Sequence, residues 1–406
     1  MYIGMLFGPS RHQMSTKGRV LHPLAISITC PRFDPLSSPP RSNMTSPFGP
    51  QTTCDEVAKV FAQDIKGKNV VVTGVSLGSL GAEVVRVLAP LAGVIWVCGR
   101  NQQRIQDAIG PILMQSPRAQ IKIVSFDLTS LASVREAAQT IRKEGRPLHV
   151  LYNNASVLQY KDLQRTKDGF EAQFGGTHLG SFLFAKLLLP LLRATAADVL
   201  FPPRIVSVAS HTHHWVDGIR FDDPNFTERP EEYEAWTAYG IAKGANILFT
   251  REAAKRYDDL GVLAFSLHPG TIEGTGILPV DVAVARGLRN SDGSFNPNVY
   301  TKSLAQGAAT HIVAGFDPSL MEDSGGYLVD CKIQNDQLAS WVTIDVRSDE
   351  FKSLLAPPLH VECEISDTIK LLFLSSSSRI PLPSASISAP GKRRPLVGHV
   401  RRICET

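Results

Sequence analysis

From Asn69 to Val329 the chain alternates short, apolar, β-branched runs with longer stretches whose apolar positions recur at helical spacing. NVVVT (69–73), VIWVC (94–98), IKIVSF (121–126), LHVLYN (148–153), RIVSVA (204–209) and VLAFSL (262–267) carry almost no polar alternation, the pattern of strands buried on both faces. Between them the periodicity predicts helices over 82–91, 101–109, 131–143, about 170–192 and 238–257. A further helix is predicted at 302–315 and a short strand at 326–329. Thr53, with acids following in the first turn, is placed to cap a short helix. Apolar strands alternating with helices predict an α/β domain built on a doubly wound parallel sheet. Ligands bind such sheets at the carboxyl ends of the strands, so the turns after each strand are where chemistry is sought.

Composition adds the ends of the chain to this picture. The 406 residues are 43% hydrophobic and 20% charged, which excludes wholesale disorder, collagen-like repeats and a multi-span membrane protein. The net charge of +4 is unevenly spread. Residues 1–43 carry five basic groups against one acid, and residues 375–406 six against one, so the segment between is mildly acidic. A nucleic-acid partner is therefore not expected, because its basic footprint belongs on the folded part. Both ends are rich in Pro and Ser without a sustained period and read as disordered tails. The expected organisation is a tail over 1–43, one domain over 44–350 and an irregular or disordered extension over 351–406. Residues 1–33 hold basic groups and no acid, as a transit peptide would, but prolines and glycines interrupt any helix. The six cysteines form no CxxC pair, which predicts free thiols in a reducing compartment and a cytoplasmic protein. No apolar run reads as reaching about 18 residues, so no transmembrane segment is expected.

The turn after the first strand reads Thr73-Gly74-Val75-Ser76-Leu77-Gly78-Ser79-Leu80-Gly81. Glycines there let the backbone approach a pyrophosphate, while the next helix aims its N-terminal amides at that charge. The second turn holds Arg100, with Arg104 one turn on. An arginine at this place suits a 2′-phosphate, whereas an acid would suit the free ribose of NAD, so NADP(H) is the expected cofactor. Asp127 ends the third strand, where its carboxylate either accepts from an adenine amino group or caps the next helix. Asn153-Asn154-Ala155-Ser156 end the fourth, a polar edge over the cofactor. Tyr239 and Lys243 stand four apart and share a helix face. A phenol near pKa 10 is a poor acid–base at neutral pH, and a neighbouring ammonium favours its ionised form. Ser210 ends the fifth strand with a hydroxyl suited to hold a carbonyl or alcohol oxygen.

These pieces (TGVSLGSLG, GRN, FDL, NNAS, the strand ending in Ser210, YGIAK and HPG) resemble the short-chain dehydrogenase/reductase family over about residues 69–330. THLGSFLFAKLLLP, AYGIAKGAN and FSLHPG, with the 29-residue gap between Ser210 and Tyr239, look like its retinol-dehydrogenase-like and WW-domain-oxidoreductase-like branch in fungal form. MTSPFG at Met44 is similar to the start of such proteins, so residues 1–43 read as an upstream extension. The resemblance implies a Rossmann fold and an alcohol–carbonyl oxidoreductase using NADP(H). It makes Tyr239 the general acid–base, Lys243 the group that holds the nicotinamide ribose, and Ser210 the residue that orients the substrate oxygen. It carries a proton relay through the main-chain carbonyl of Thr177 and a water, and cofactor contacts to Gly74, Ser76, Gly78, Leu80, Arg100, Asp127, Asn153, Ala155, Pro269 and Gly270, besides Tyr239 and Lys243. Family habit implies a homodimer or a monomer, and a lipophilic carbonyl or alcohol substrate.

The chain departs from the family pattern at four places. Leu80 stands for the last glycine of the first turn, and Ser156 for the glycine of NNAG. Thr177 stands for the relay asparagine, and Gly274 for the threonine after the PG loop, with Thr275 next. Leu80, Ser156 and Thr177 motivate an alternative reading, a catalytically weak or silent NADP(H)-binding scaffold. His211, His213 and His214 lack metal-ligand spacing, so no metal is expected.

Overall fold

A computed structural model of the chain describes residues 47–158, 161–196, 201–272, 280–285, 287–294, 296–297 and 299–343. The two tails, Met44, Gly274, Thr275 and the stretch 345–374, where no helix is evident in the sequence after the last strand, lie outside the described residues.

In chain order the helices are α1 (Cys54–Val60), α2 (Ala62–Ile65), α3 (Leu80–Leu88), α4 (Gln102–Gln115), α5 (Leu131–Lys143), α6 (Ser181–Thr195), α7 (Ala235–Tyr257), α8 (Val280–Ala285) and α9 (Leu304–Phe316). The strands are β1 (Val70–Thr73), β2 (Val94–Gly99), β3 (Gln120–Ser125), β4 (Val150–Asn153), β5 (Arg204–Val208), β6 (Leu263–His268), β7 (Thr271–Ile272), β8 (Thr301–Lys302), β9 (Tyr327–Val329) and β10 (Lys332–Ile333). Eight strands form one sheet in the order β10-β9-β6-β5-β4-β1-β2-β3, parallel throughout except for β10 against β9. Strand order runs outward in both directions from the β1–β4 pair, so the crevice beyond their carboxyl ends is where such a sheet binds ligand.

The strands are apolar on both faces because both faces are covered. One layer packs α1, α3, α4 and α9 over Val70, Val72, Ile95 and Val97, and the other packs α5, α6 and α7 over Val71, Trp96, Leu151 and Ile205. The doubly wound fold is as expected. Thr53 caps α1 in a full capping box with Glu56, and Ser303 does the same for α9 with Gln306.

Four features differ from the sequence reading or go beyond it. The helix expected over 101–109 runs on to Gln115 through Pro111, because Ile112 is buried in the core beyond it. The long helix expected over 170–192 begins as a π-helix at Phe174–Gly180 and becomes α-helical only at Ser181. Phe174–Thr195 is long and apolar enough to cross a bilayer, with mean hydropathy 1.3, contrary to the expected absence of such a run. In this structure 61% of that apolar window is buried, the setting of a core helix. Beyond β9 the chain turns back in a hairpin whose two tip residues, Asp330 and Cys331, both have positive φ (52° and 66°), as a two-residue turn of this hand requires.

Candidate active site

The carboxyl ends of β1, β2, β3, β4, β5, β6 and β9 open into one cavity of about 940 Å³. Its floor at β1 is the glycine turn. Gly74 and Gly78 have positive φ (76° and 73°), and a Cβ on Gly74 would meet the Ala155 backbone at 2.7 Å. Ser79 organises the turn: its hydroxyl accepts from Ser76 N and from Ala82 N, both at 3.1 Å, and donates to the Gly74 carbonyl at 3.3 Å. It is therefore the N-cap of α3, whose amino end faces the cavity. Leu80 takes the first helical position, and Gly81 does the close packing expected of the last glycine. A Cβ on Gly81 would meet the Gly74 carbonyl oxygen at 2.5 Å. The motif is thus shifted by one residue, and Leu80 lines the cavity against Ile272 and Gly307.

The edge between β1 and β4 is stitched by polar side chains. Thr73 Oγ1 accepts from Asn154 N (3.0 Å) and Ala155 N (2.9 Å), and Asn154 Nδ2 donates to Thr73 O at 2.8 Å. Asn154, Ala155 and Ser156 line the cavity. Asn153 does not: strand alternation turns its side chain into the interior, where Nδ2 donates to Ser181 O at 3.4 Å. Thr177 is also set apart from the cavity. Its hydroxyl is spent on the Val157 backbone, accepting from N at 2.9 Å and donating to O at 3.1 Å. The Asn153 side chain, expected along the cofactor, is a buried strut instead; the relay expected at Thr177 uses its main-chain carbonyl, so the inward-turned hydroxyl does not bear on it.

Arg100 and Arg104 line the cavity beyond β2, and Asn101 between them caps α4 by accepting from Arg104 N at 3.0 Å. Asp127 is a cavity residue and not a helix cap. It lines the cavity, and its Oδ1 accepts from Thr129 N (3.0 Å) and Thr129 Oγ1 (2.8 Å), organising the turn rather than capping α5, whose cap is Ser130. Burial acts to raise its pKa, but the Thr129 bonds and the Arg100 and Lys167 charges outweigh it and hold the carboxyl low.

Tyr239, Lys243 and Ser210 converge on the cavity. Gly240 permits this, because a Cβ there would strike the Thr212 carbonyl oxygen at 2.7 Å in the 3₁₀ turn His211–Trp215. The Tyr239 phenol is almost fully enclosed, and burial raises its pKa while the hydrogen bond with Ser210 lowers it. Lys243 is 2% exposed, and burial pushes its ammonium down to about 7. Its Nζ donates to Val208 O at 2.6 Å and Ser156 Oγ at 2.7 Å, and lies 5.5 Å from the Tyr239 ring centroid. Trp236 stands edge-on to Tyr239 at 5.7 Å and to Trp215 at 6.1 Å, giving the cavity an aromatic wall beside the phenol.

Pro269 and Gly270 line the cavity after β6. Gly270 (φ 91°) leaves room for the Lys302 stem, whose Cδ would lie 2.7 Å from a Cβ there. Lys302 Nζ pairs with Asp330 at 2.5 Å, and both residues line the cavity. The sequence carried no signal for this pair, since the two are joined only through the β9–β10 hairpin.

The short chain dehydrogenase family profile matches residues 68–214. Retinol dehydrogenase 12 of Mus musculus is 34% identical over 326 residues, covering 77% of this chain and 93% of that protein. This chain belongs to the short-chain dehydrogenase/reductase family. Within that family it is retinol-dehydrogenase-like, and it is also 36% identical to the short-chain dehydrogenase/reductase prx1 of Penicillium rubens, over 66% of this chain and 75% of that one. A short-chain type dehydrogenase/reductase from Mycobacterium marinum shares the fold, with a TM-score of 0.52 at 17% identity, covering 67% of this chain and 96% of that one. Short-chain dehydrogenases bind a nicotinamide cofactor, and the glycine turn, with its Cβ-free approach at Gly74 and the amino end of α3 behind it, fits the pyrophosphate of such a group. The Tyr239–Lys243–Ser210 trio of this family member is assembled, on a helix and a strand end that meet through Gly240.

Proposed function

We propose that this short-chain dehydrogenase/reductase interconverts an alcohol and a carbonyl with NADP(H), with Tyr239 as general acid–base. The observation that carries the reading is the convergence of Tyr239, Ser210 and Lys243 on the cavity that also holds the glycine turn and Arg100. When bound, the nicotinamide supplies or takes up the hydride. Gly74, Ser76, Gly78 and Leu80 would hold the pyrophosphate, Arg100 with Arg104 a 2′-phosphate, Asp127 and Ala155 the adenine side, and Pro269-Gly270 the nicotinamide end. Ser210 holds the substrate oxygen toward Tyr239, whose hydroxyl gives that oxygen a proton in reduction and takes it back in oxidation. The hydrogen bond with Ser210 offsets part of the burial that disfavours the phenolate, and Lys243, with Nζ 5.5 Å from the ring, adds to that offset when charged. Trp215, Trp236, Leu158 and Leu288 line the rest of the cavity, a surface for a lipophilic substrate. NADP(H) selection rests on Arg100, since no carboxylate lines the cavity at the end of β2.

Replacement of Tyr239 by Phe removes the proton donor without changing the fold. It is expected to lower kcat by at least about 10³-fold while NADPH binding, read by fluorescence, stays within twofold. Retained turnover in that variant would refute the assignment. NADPH binding with no turnover of any carbonyl by the unaltered protein would favour the scaffold reading instead.

A further inference from the structure

The Lys243 ammonium has three N–H donors and must be held while buried. Two are accounted for: one goes to the Val208 carbonyl at the end of β5, the other to the Ser156 hydroxyl beyond β4. Both distances, 2.6 and 2.7 Å, are at the short end of charge-assisted hydrogen bonds. The two acceptors come from different strand ends and fix Nζ between them. Ser156 itself is exposed, whereas Lys243, which lines the same cavity, is buried, so the Ser156 hydroxyl is not a strut of the core. Thr177 cannot share the task, because its hydroxyl is closed on the Val157 backbone. We propose that Ser156 is a positioning residue that, with the Val208 carbonyl, fixes the Lys243 ammonium and keeps it charged beside Tyr239. The serine in place of glycine is on this view a second anchor for the catalytic lysine, and it acts through Lys243 rather than on the substrate.

The proposal rests on the reading of Tyr239 and Lys243 as the acid–base pair, and its test is separable from that reading. Ser156→Thr keeps the hydroxyl, and Ser156→Val has the shape of that threonine without it. Lys243 is titrated by NMR in protein labelled with ¹³C at the lysine Cε, without cofactor, its resonance assigned by Lys243→Arg. Loss of an acceptor destabilises the charged form, so the midpoint in Ser156→Val is expected about one unit below the unaltered protein, with Ser156→Thr restoring it. In turnover with NADPH, Ser156→Val is expected to lose about tenfold in kcat with a displaced pH profile and little change in KM for NADPH, again restored by Thr. Matching thermal midpoints for Thr and Val at position 156 establish that both fold alike. An unchanged Lys243 midpoint in Ser156→Val overturns the proposal. If the unaltered protein turns over no carbonyl, the functional reading falls, and the titration still decides the role of Ser156.

Discussion

In the proposed function, cofactor choice turns on Arg100. It lines the cavity beyond β2 together with Arg104, and both follow a strand end where a 2′-phosphate would lie. Arg100→Glu places a carboxylate there, which repels a phosphate and accepts from a ribose hydroxyl. The ratio of kcat/KM with NADPH to that with NADH is expected to fall at least about 100-fold; an unchanged ratio would move the selectivity elsewhere. At this scale the sequence was legible where a rule of direction applied. Tyr239 and Lys243 share a face because four residues on a helix make just over one turn, and the structure brings them together with Ser210. Asn153 and Thr177 were not legible, because one strand step turned Asn153 inward and a π-helix turned Thr177 onto Val157. Ser156 was visible only as a departure, and its bond to Lys243 needed the β4 and α7 positions together.

Elements meet in this site at glycines. Gly240 lets α7 approach the turn that begins at Ser210, and Gly244, one turn on, leaves room for Trp341, whose ring would overlap a Cβ there. Gly240→Ala must displace a backbone carbonyl and part Tyr239 from Ser210. It is expected to destabilise the fold by about 1–3 kcal/mol in urea unfolding and to lower kcat more than it raises KM. The β9–β10 hairpin makes the complementary point. Nothing in the local pattern showed that its tip, at positive φ, would bring Asp330 to the Lys302 ammonium. Asp330→Asn leaves that ammonium enclosed with its carboxylate partner gone. With Asp330 about a third open, the loss is expected at the low end of the range for a broken buried pair, about 3 kcal/mol. An Asp330→Asn protein as stable as the parent would show that solvent already screens the pair. The doubly wound parallel sheet, by contrast, followed from the alternation of strands and helices, since right-handed crossovers admit few arrangements.

Across the whole molecule, burial of titratable groups ties stability to pH. His178, His213 and His311 are pushed by burial down to about 4, and His268 to about 3. In the unfolded chain each titrates near 6.5. Between those values the unfolded state binds protons that the folded state does not, so stability rises with pH. The contribution of these four groups is complete above pH 6.5 and is lost as pH falls toward 4. Lys243, lowered from 10.5 to about 7, adds a window of the same sign at higher pH, so the cofactor-free fold gains stability between about 7 and 10. The histidines lie on α9, the π-helix, the turn after Ser210 and the end of β6, so acidification attacks both faces of the sheet. Unfolding at pH 5 is expected to take up about three to four protons by these histidines, read as the slope of unfolding free energy against pH in urea titrations. His311→Leu removes one titrating group that lies outside the cavity, and its slope at pH 5 is expected to fall by close to one proton. An equal slope in parent and variant would mean that His311 charges freely within the folded protein.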